Sequence, residues 1–290
     1  MTSIVEIHNL SKTYDGNLIL DNLNLTIEQG QIIGLLGRNG AGKTTLIESI
    51  MGLKDLKKNC IHIWQQPINE LKKSQLQSIA FVPQNQELFE WMKVNEYFDY
   101  FSVFFEKWDN LYAQQLLNRW NLNSTKKISE LSGGQKQILQ IVQALSVKPK
   151  LLILDEPVVN LDPNMRREFL KEIVDLSCES NITVLFSTHI ISDVERIASH
   201  IALLNNGKIE IFDAVETIQT HAASVVIQGT ITNKEQYNHL TQWEDFDQGH
   251  KAVMTQKGNH SISQIECENN VTIQSIPMSL EDWYLEVTRA

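Results

Sequence analysis

Gly37, Arg38, Asn39, Gly40, Ala41, Gly42, Lys43 and Thr44 fit the pattern GxxxxGK(S/T), a spacing suited to gripping a chain of phosphates. Glycines at 37, 40 and 42 let successive backbone N–H groups turn inward with no Cβ in the way. The Lys43 ammonium reaches β- and γ-phosphates, the Thr44 hydroxyl is a ligand for Mg²⁺, and Thr45 completes the set of candidate contacts. Such a loop has meaning only between a strand and a helix. Here the apolar run "QIIGLLG" precedes it and "KTTLIESIMGL" follows, so a helix beginning near Lys43 adds the positive end of its dipole.

Three more apolar runs end in groups suited to phosphoryl transfer. "LLILDE" ends in Asp155 and Glu156, "IAFVPQ" in Gln84 and "VLFSTH" in His189. Ligands of an open parallel sheet sit beyond the carboxyl ends of its strands, which places these groups and the loop around one volume. An attacking water must be aligned with the γ-phosphate while charge accumulates on its oxygens. Asp155 suits the Mg²⁺ shell, and Glu156 is the candidate for polarising the water, a role worth about 10²–10⁴ in rate. His189 is expected to hydrogen-bond the γ-phosphate, and Gln84 to touch Mg²⁺ or the water. Tyr14, just before a turn at Asp15-Gly16-Asn17, offers a ring for stacking on a nucleotide base; core packing is its competing use.

A second, lysine-free cradle lies at "LSGGQ", residues 131–135, where Ser132, Gly133, Gly134 and Gln135 open a helical stretch. With this motif the chain resembles the ATP-binding-cassette (ABC) family over about residues 1–212. "GRNGAGKT" looks like its Walker A, "LLILDEP" its Walker B with the following glutamate, and "LSGGQ" its signature. Gln84 looks like its Q-loop residue, "NLDP" with Asp162 its D-loop, His189 its switch histidine and Tyr14 its base-stacking aromatic. The resemblance implies that ATP with Mg²⁺ is bound between two such domains paired head to tail, as homodimer or heterodimer. Ser132, Gly133 and Gly134 would then contact the γ-phosphate held by the partner, and hydrolysis would release the pair. It also implies a separate transmembrane permease. Two departures stand out: Ile138 where the signature of related exporters often continues to arginine, and Asn160 where the D-loop commonly has glycine. The end, "MSLEDWYLEV", and the tract "WDNLYAQQLLNRWNL" are similar to ATPase subunits of ABC-2 type exporters, a group including antibiotic, bacteriocin and peptide exporters, and the nucleotide-binding subunits of staphylococcal phenol-soluble-modulin exporters are one candidate for the resemblance.

The elements that must position these residues are legible in the periodicity. Residues 1–36 read as short strands, with Leu23, Leu25 and Ile27 alternating as in a half-exposed antiparallel sheet. "IIGLL", "IAFV", "LLILD" and "ITVLF" are nearly all apolar, as strands covered on both faces are. Residues 88–145 are aromatic-rich and helical in period, as in "WMKVNEYFDYFSVFFEKW" and "NLYAQQLLNRWNL". From 213 onward "SVVIQGTI", "KAVMTQKG" and "NVTIQSIP" alternate and "SLEDWYLEVT" reads as a helix. The expected fold is therefore α/β: a P-loop NTPase core of the ABC ATPase kind with an amino-terminal antiparallel subdomain, a helical insertion, and a small α+β appendage at 213–290.

Bulk composition narrows the function classes. With 290 residues and 42% apolar content, the chain can bury a core. A net charge of −10 argues against broad nucleic-acid binding. No run approaches the roughly 18–20 apolar residues of a membrane span. The start lacks the marks of a signal peptide, and Cys60, Cys178 and Cys267 form no CxxC pair. A cytoplasmic protein, attached to the inner face of the membrane through its permease, is the expectation. Two rivals stay open: a soluble ABC protein of translation or DNA repair, and an ATP-sensing or immunity module with little turnover.

Overall fold

A computed structural model describes residues 2–56, 59–85, 87–231, 233–237, 239–255 and 262–289. The amino-terminal part runs β1 (Ser3–Tyr14), β2 (Asn17–Glu28), β3 (Ile32–Leu36), α1 (Lys43–Ile50), β4 (Ile61–Ile63) and β5 (Gln66–Pro67). Then come α2 (Lys73–Leu76), β6 (Ile79–Val82), α3 (Val94–Ser102), α4 (Asn110–Arg119), α5 (Gly133–Ser146) and β7 (Leu151–Asp155). The chain continues through α6 (Pro163–Ser180), β8 (Thr183–Ser187), α7 (Ile191–Ile197), β9 (His200–Asn205) and β10 (Lys208–Ala214). It closes with α8 (Val215–His221), β11 (Ala223–Gln228), β12 (Leu240–Phe246), β13 (Gly249–Met254), α9 (Ile262–Asn269), β14 (Thr272–Pro277) and α10 (Leu280–Val287). Two compact units result: one up to His189 together with Arg196–Phe212, the other comprising Ile190–Glu195 and everything from Asp213.

In the first unit a six-stranded sheet has the order β10-β9-β3-β8-β7-β6, parallel from β9 through to β6. Every residue of β3, β7 and β8 is buried, which is why these strands are nearly all apolar, with Asp155, Thr183 and Ser187 their charged or hydroxyl members. A second sheet, β2-β1-β4-β5, is antiparallel, and its strand β2 buries Leu23, Leu25 and Ile27 while exposing Asn24 and Thr26. Of the short strands expected over residues 1–36, β3 is short, whereas β1 and β2 run 12 residues each. Asn9 and Asn22 look like strand breakers but take φ of 50° and 48° within β-bulges, where Asn24 Oδ1 and Ser11 Oγ accept their N–H groups. Helix α1 sets Leu46, Ile47 and Ile50 into one core with Leu25, Ile27, Ile33, Leu35, Ile153 and Leu185. Truncating the fully buried Leu46 to alanine would cost about 2–5 kcal/mol and loosen the helix that carries the phosphate loop.

The stretch 88–145 is mainly helical as expected, and within 91–108 the helical period outruns the helix itself. Helix α3 ends at Ser102, whose hydroxyl donates to the Asp99 carbonyl, and turns follow through Phe104 and Phe105. In the second unit an antiparallel sheet has the order β12-β13-β11-β14 and packs Val225, Ile227, Leu240 and Ala252 with Ile265 of α9. Strand β12 escapes the sequence because its alternation breaks at Gln242, where φ is 53° and the register shifts. The end of the expected strand over 251–258, residues 256–258, lies outside the described residues. The architecture is the expected one, an α/β P-loop core with an antiparallel subdomain, a helical insertion and an α+β remainder. Among the described residues no helix is long and apolar enough to cross a membrane.

Candidate functional site

The glycine-rich loop leaves the carboxyl end of β3 and enters α1. Gly42 caps that helix with φ 102°, and a Cβ there would meet Leu20 Cδ2 at 3.1 Å and Ile19 Cγ2 at 3.2 Å. Glycine is thus required both by backbone conformation and by space. Lys43 is buried, and its ammonium donates to the carbonyls of Gly37 at 2.8 Å and Arg38 at 3.4 Å. Burial lowers its pKa, while the charges of Glu156 and Asp155 oppose that shift.

Beside the loop is a cavity of ≈ 440 Å³ lined by Tyr14, Ile19, Asn39, Gly40, Gly42, Lys43, Thr44, Thr45, Gln84, Asp155 and Glu156. The fold therefore brings together groups from β1, the loop, the end of β6 and the end of β7. Tyr14 is 38% exposed, so it is not consumed by core packing, and the ammoniums of Lys12 and Lys54 lie 5.3 and 5.8 Å from its ring centre.

Asp155 is 1% exposed and uses both oxygens: Oδ2 accepts the Thr44 hydroxyl at 2.7 Å and Oδ1 accepts the Ser187 hydroxyl at 2.6 Å. Glu156 holds φ of 49°, a left-handed conformation that costs a non-glycine residue on the order of 1–3 kcal/mol. Its N–H donates to Ser187 Oγ at 2.8 Å, its Oε2 lies 3.0 Å from His189 Nδ1, and its Oε1 lies 3.8 Å from Lys43 Nζ. Ser187 is the residue the sequence reading passed over. Its only signal was a hydroxyl in the otherwise apolar run "VLFSTH".

A hydroxyl and a carboxylate 2.7 Å apart, with the Gln84 amide on the same cavity, are hard oxygen donors of the kind Mg²⁺ takes. Among the described residues no group of three or more His, Cys, Asp or Glu side chains could hold a metal ion. A cation here would therefore rely on this mixed set together with phosphate oxygens.

Ser132, Gly133, Gly134 and Gln135 do not line that cavity. They build the amino-terminus of α5 as a capping box: Ser132 Oγ accepts from the Gln135 N–H at 3.2 Å and Gln135 Oε1 accepts from the Ser132 N–H at 3.1 Å. A Cβ on Gly134 would lie 2.6 Å from the Asn160 carbonyl oxygen, so the signature turn seats directly on the D-loop. Asp162 also lies outside the cavity and caps α6, accepting the N–H groups of Asn164 and Met165. Asn160 is not among the residues with positive φ, so its replacement of glycine carries no left-handed strain. Ile138 is fully buried in α5.

Residues 20–159 match the family model of ABC transporters. The ATP-binding protein YtrB of Bacillus subtilis (strain 168) is 34% identical over 206 residues, which is 71% of this chain and 70% of that one. The bacitracin transport ATP-binding protein BcrA of Bacillus licheniformis is 31% identical over 301 residues, 99% of this chain and 98% of that one. Import ATP-binding proteins for Fe(3+) ions, sulfate/thiosulfate and spermidine/putrescine match as well, over 71% to 77% of this chain. For the Fe(3+) protein of Pectobacterium atrosepticum the match spans 64% of that protein's own length. A solved structure of the ATP-binding subunit of an ABC transporter aligns with TM-score 0.67 at 25% identity, covering 75% of this chain and 92% of that one.

Proposed function

This chain belongs to the family of ABC transporter ATP-binding proteins, and from that premise we propose that it is the ATP-hydrolysing subunit of a membrane transporter. Its ligands are ATP and Mg²⁺. The observation that carries the reading is the convergence on one cavity of the loop lysine, the Thr44–Asp155 pair and Glu156, with His189 Nδ1 against the Glu156 carboxylate.

In this reading the loop N–H groups of residues 37–45 and Lys43 hold the β- and γ-phosphates, and Tyr14 carries the base. Thr44, Asp155 and Gln84 hold Mg²⁺, which when bound neutralises charge on the transferring phosphate oxygens. Glu156 takes the proton of the attacking water. His189 keeps that carboxylate aimed and touches the γ-phosphate. Ser132, Gly133, Gly134, Gln135 and Asp162 act on the nucleotide of a second copy or of a related chain, because they lie apart from their own cavity.

Transport calls for a membrane partner, and an exposed aromatic patch offers it a seat. Trp91, Tyr100 and Phe104 are 70%, 44% and 51% exposed, and Phe89 rests edge-on against Tyr100 with ring centres 5.7 Å apart. Such a patch suits the apolar face of a cytoplasmic helix of the permease. The direction we favour is export of a peptide, antibiotic or similarly amphipathic compound. What supports it is extent: the match to the bacitracin transport protein runs through residues beyond 212, where the import proteins' matches cover less of the chain. We place the division between the ATPase domain and the appendage at 212/213.

The test is phosphate release by purified protein with Mg²⁺ and ATP, followed by pull-down with Glu156→Gln from membranes. Turnover together with recovery of an integral membrane protein supports the reading. Recovery with ribosomes or DNA, or ATP binding with no turnover even beside the membrane partner, refutes it.

A further inference from the structure

We propose that Ser187 is a positioning residue which, through one hydroxyl, sets both the cation side and the water side of the ATPase site. The inference rests on the functional reading above. Strands β7 and β8 pair in parallel with Asp155 opposite Ser187, so the two side chains meet in a region where neither is open to solvent. The Ser187 hydroxyl has one proton, and a backbone N–H can only donate. The proton therefore goes to Asp155 Oδ1 at 2.6 Å and the oxygen accepts the Glu156 N–H at 2.8 Å. The first bond fixes the rotation of the Asp155 carboxylate, leaving Oδ2 to face Thr44 at 2.7 Å. The second satisfies the buried N–H of Glu156 and holds this left-handed residue where its carboxylate lies between His189 and Lys43. One hydroxyl thus orients two carboxylates with different tasks.

Loss of this hydroxyl is expected to act on Mg²⁺ and on turnover while sparing the phosphate grip, which belongs to the loop. The experiment compares wild type with Ser187→Ala, Ser187→Thr and Ser187→Val; threonine and valine share a shape and differ only in the hydroxyl. Nucleotide affinity is measured by titrating a fluorescent ATP analogue in EDTA and again across a Mg²⁺ series, beside kcat, KM and thermal unfolding. For Ser187→Ala we expect EDTA affinity within about twofold of wild type, and a Mg²⁺ requirement and a kcat each worse by about 10–100-fold. Threonine is expected to retain at least about tenfold more of both than valine. The proposal is overturned if alanine leaves the Mg²⁺ series and kcat unchanged, if threonine and valine behave alike, or if alanine or valine unfolds or weakens binding equally in EDTA, as a purely structural serine would. If wild type itself shows neither Mg²⁺-dependent ATP binding nor turnover, the ATPase reading falls; an intact wild type beside an indifferent alanine variant sinks only the role of Ser187.

Discussion

Lys43 sits between the Gly37 carbonyl that accepts its hydrogen bond and the Glu156 carboxylate 3.8 Å away. Its charge is what the phosphates would gain, and a point charge at the β- and γ-phosphates has no substitute among the other cavity-lining residues. Lys43→Ala should raise the Kd for ATP by at least about a hundredfold, since charge-assisted hydrogen bonds contribute about 1.5–3 kcal/mol each. Equilibrium titration with labelled ATP checks this, and unaltered affinity would dismiss the loop assignment. Glu156→Gln keeps size and hydrogen-bonding capacity but cannot take a proton. Its turnover should drop by about 10²–10⁴ while ATP binding persists, measured by phosphate release against filter binding. The glycines, the lysine and the paired carboxylates were readable from sequence because their chemistry is bound to type and spacing. Ser187 was not, because a hydroxyl's partners depend on the register of two strands separated by 31 and 32 positions in its hydrogen bonds.

Helix termini decide where several of these groups sit. The amino-terminus of α5 is held against the D-loop through Gly134, where a methyl group would meet a carbonyl oxygen at 2.6 Å. Gly134→Ala should destabilise the fold by about 1–3 kcal/mol, read as a lower urea midpoint, because backbone and not a flexible side chain must give way. The amino-terminus of α4 rests on Asp109, which accepts the Tyr112 N–H and pairs with Lys148 at 2.6 Å. Lys148, and then the Tyr112 amide, hold its carboxyl below the usual range. A lowered folded-state pKa stabilises above the ordinary aspartate value and is lost as pH falls through the folded one. Asp109→Asn keeps the cap but loses the ion pair, so it should cost under about 1 kcal/mol near neutrality. That difference should shrink between about pH 5 and about pH 3 in urea titrations at stepped pH. At this scale the sequence was a good guide to buried strands and a poor one to interruptions. Asn9 and Asn22 signal turns yet sit in bulges of unbroken strands, and the aromatic run after Ser102 continues the helical period without continuing the helix.

For the molecule as a whole, two separate parts of the first unit are, under the proposed function, incomplete halves of one phosphate site. The loop cavity collects Lys43, Asp155 and Glu156, whereas the capped serine of "LSGGQ" opens a helix elsewhere. The account joins them only across two chains, with ATP as the shared ligand and hydrolysis as the release. The sequence carried this idea as well, since a lysine-free anion nest has little use unless another loop already grips the phosphate. Which chain supplies the second half was beyond it, because pairing depends on surfaces and not on motif spacing. The most direct test is the molar mass of Glu156→Gln by light scattering with Mg²⁺ and ATP, alone and with any cassette encoded beside it. The account predicts an ATP-dependent doubling that disappears in Glu156→Gln carrying Ser132→Arg, while that double variant still binds ATP as a single chain. Doubling that survives Ser132→Arg, or a single-chain mass at saturating ATP with every partner cassette supplied, would contradict it.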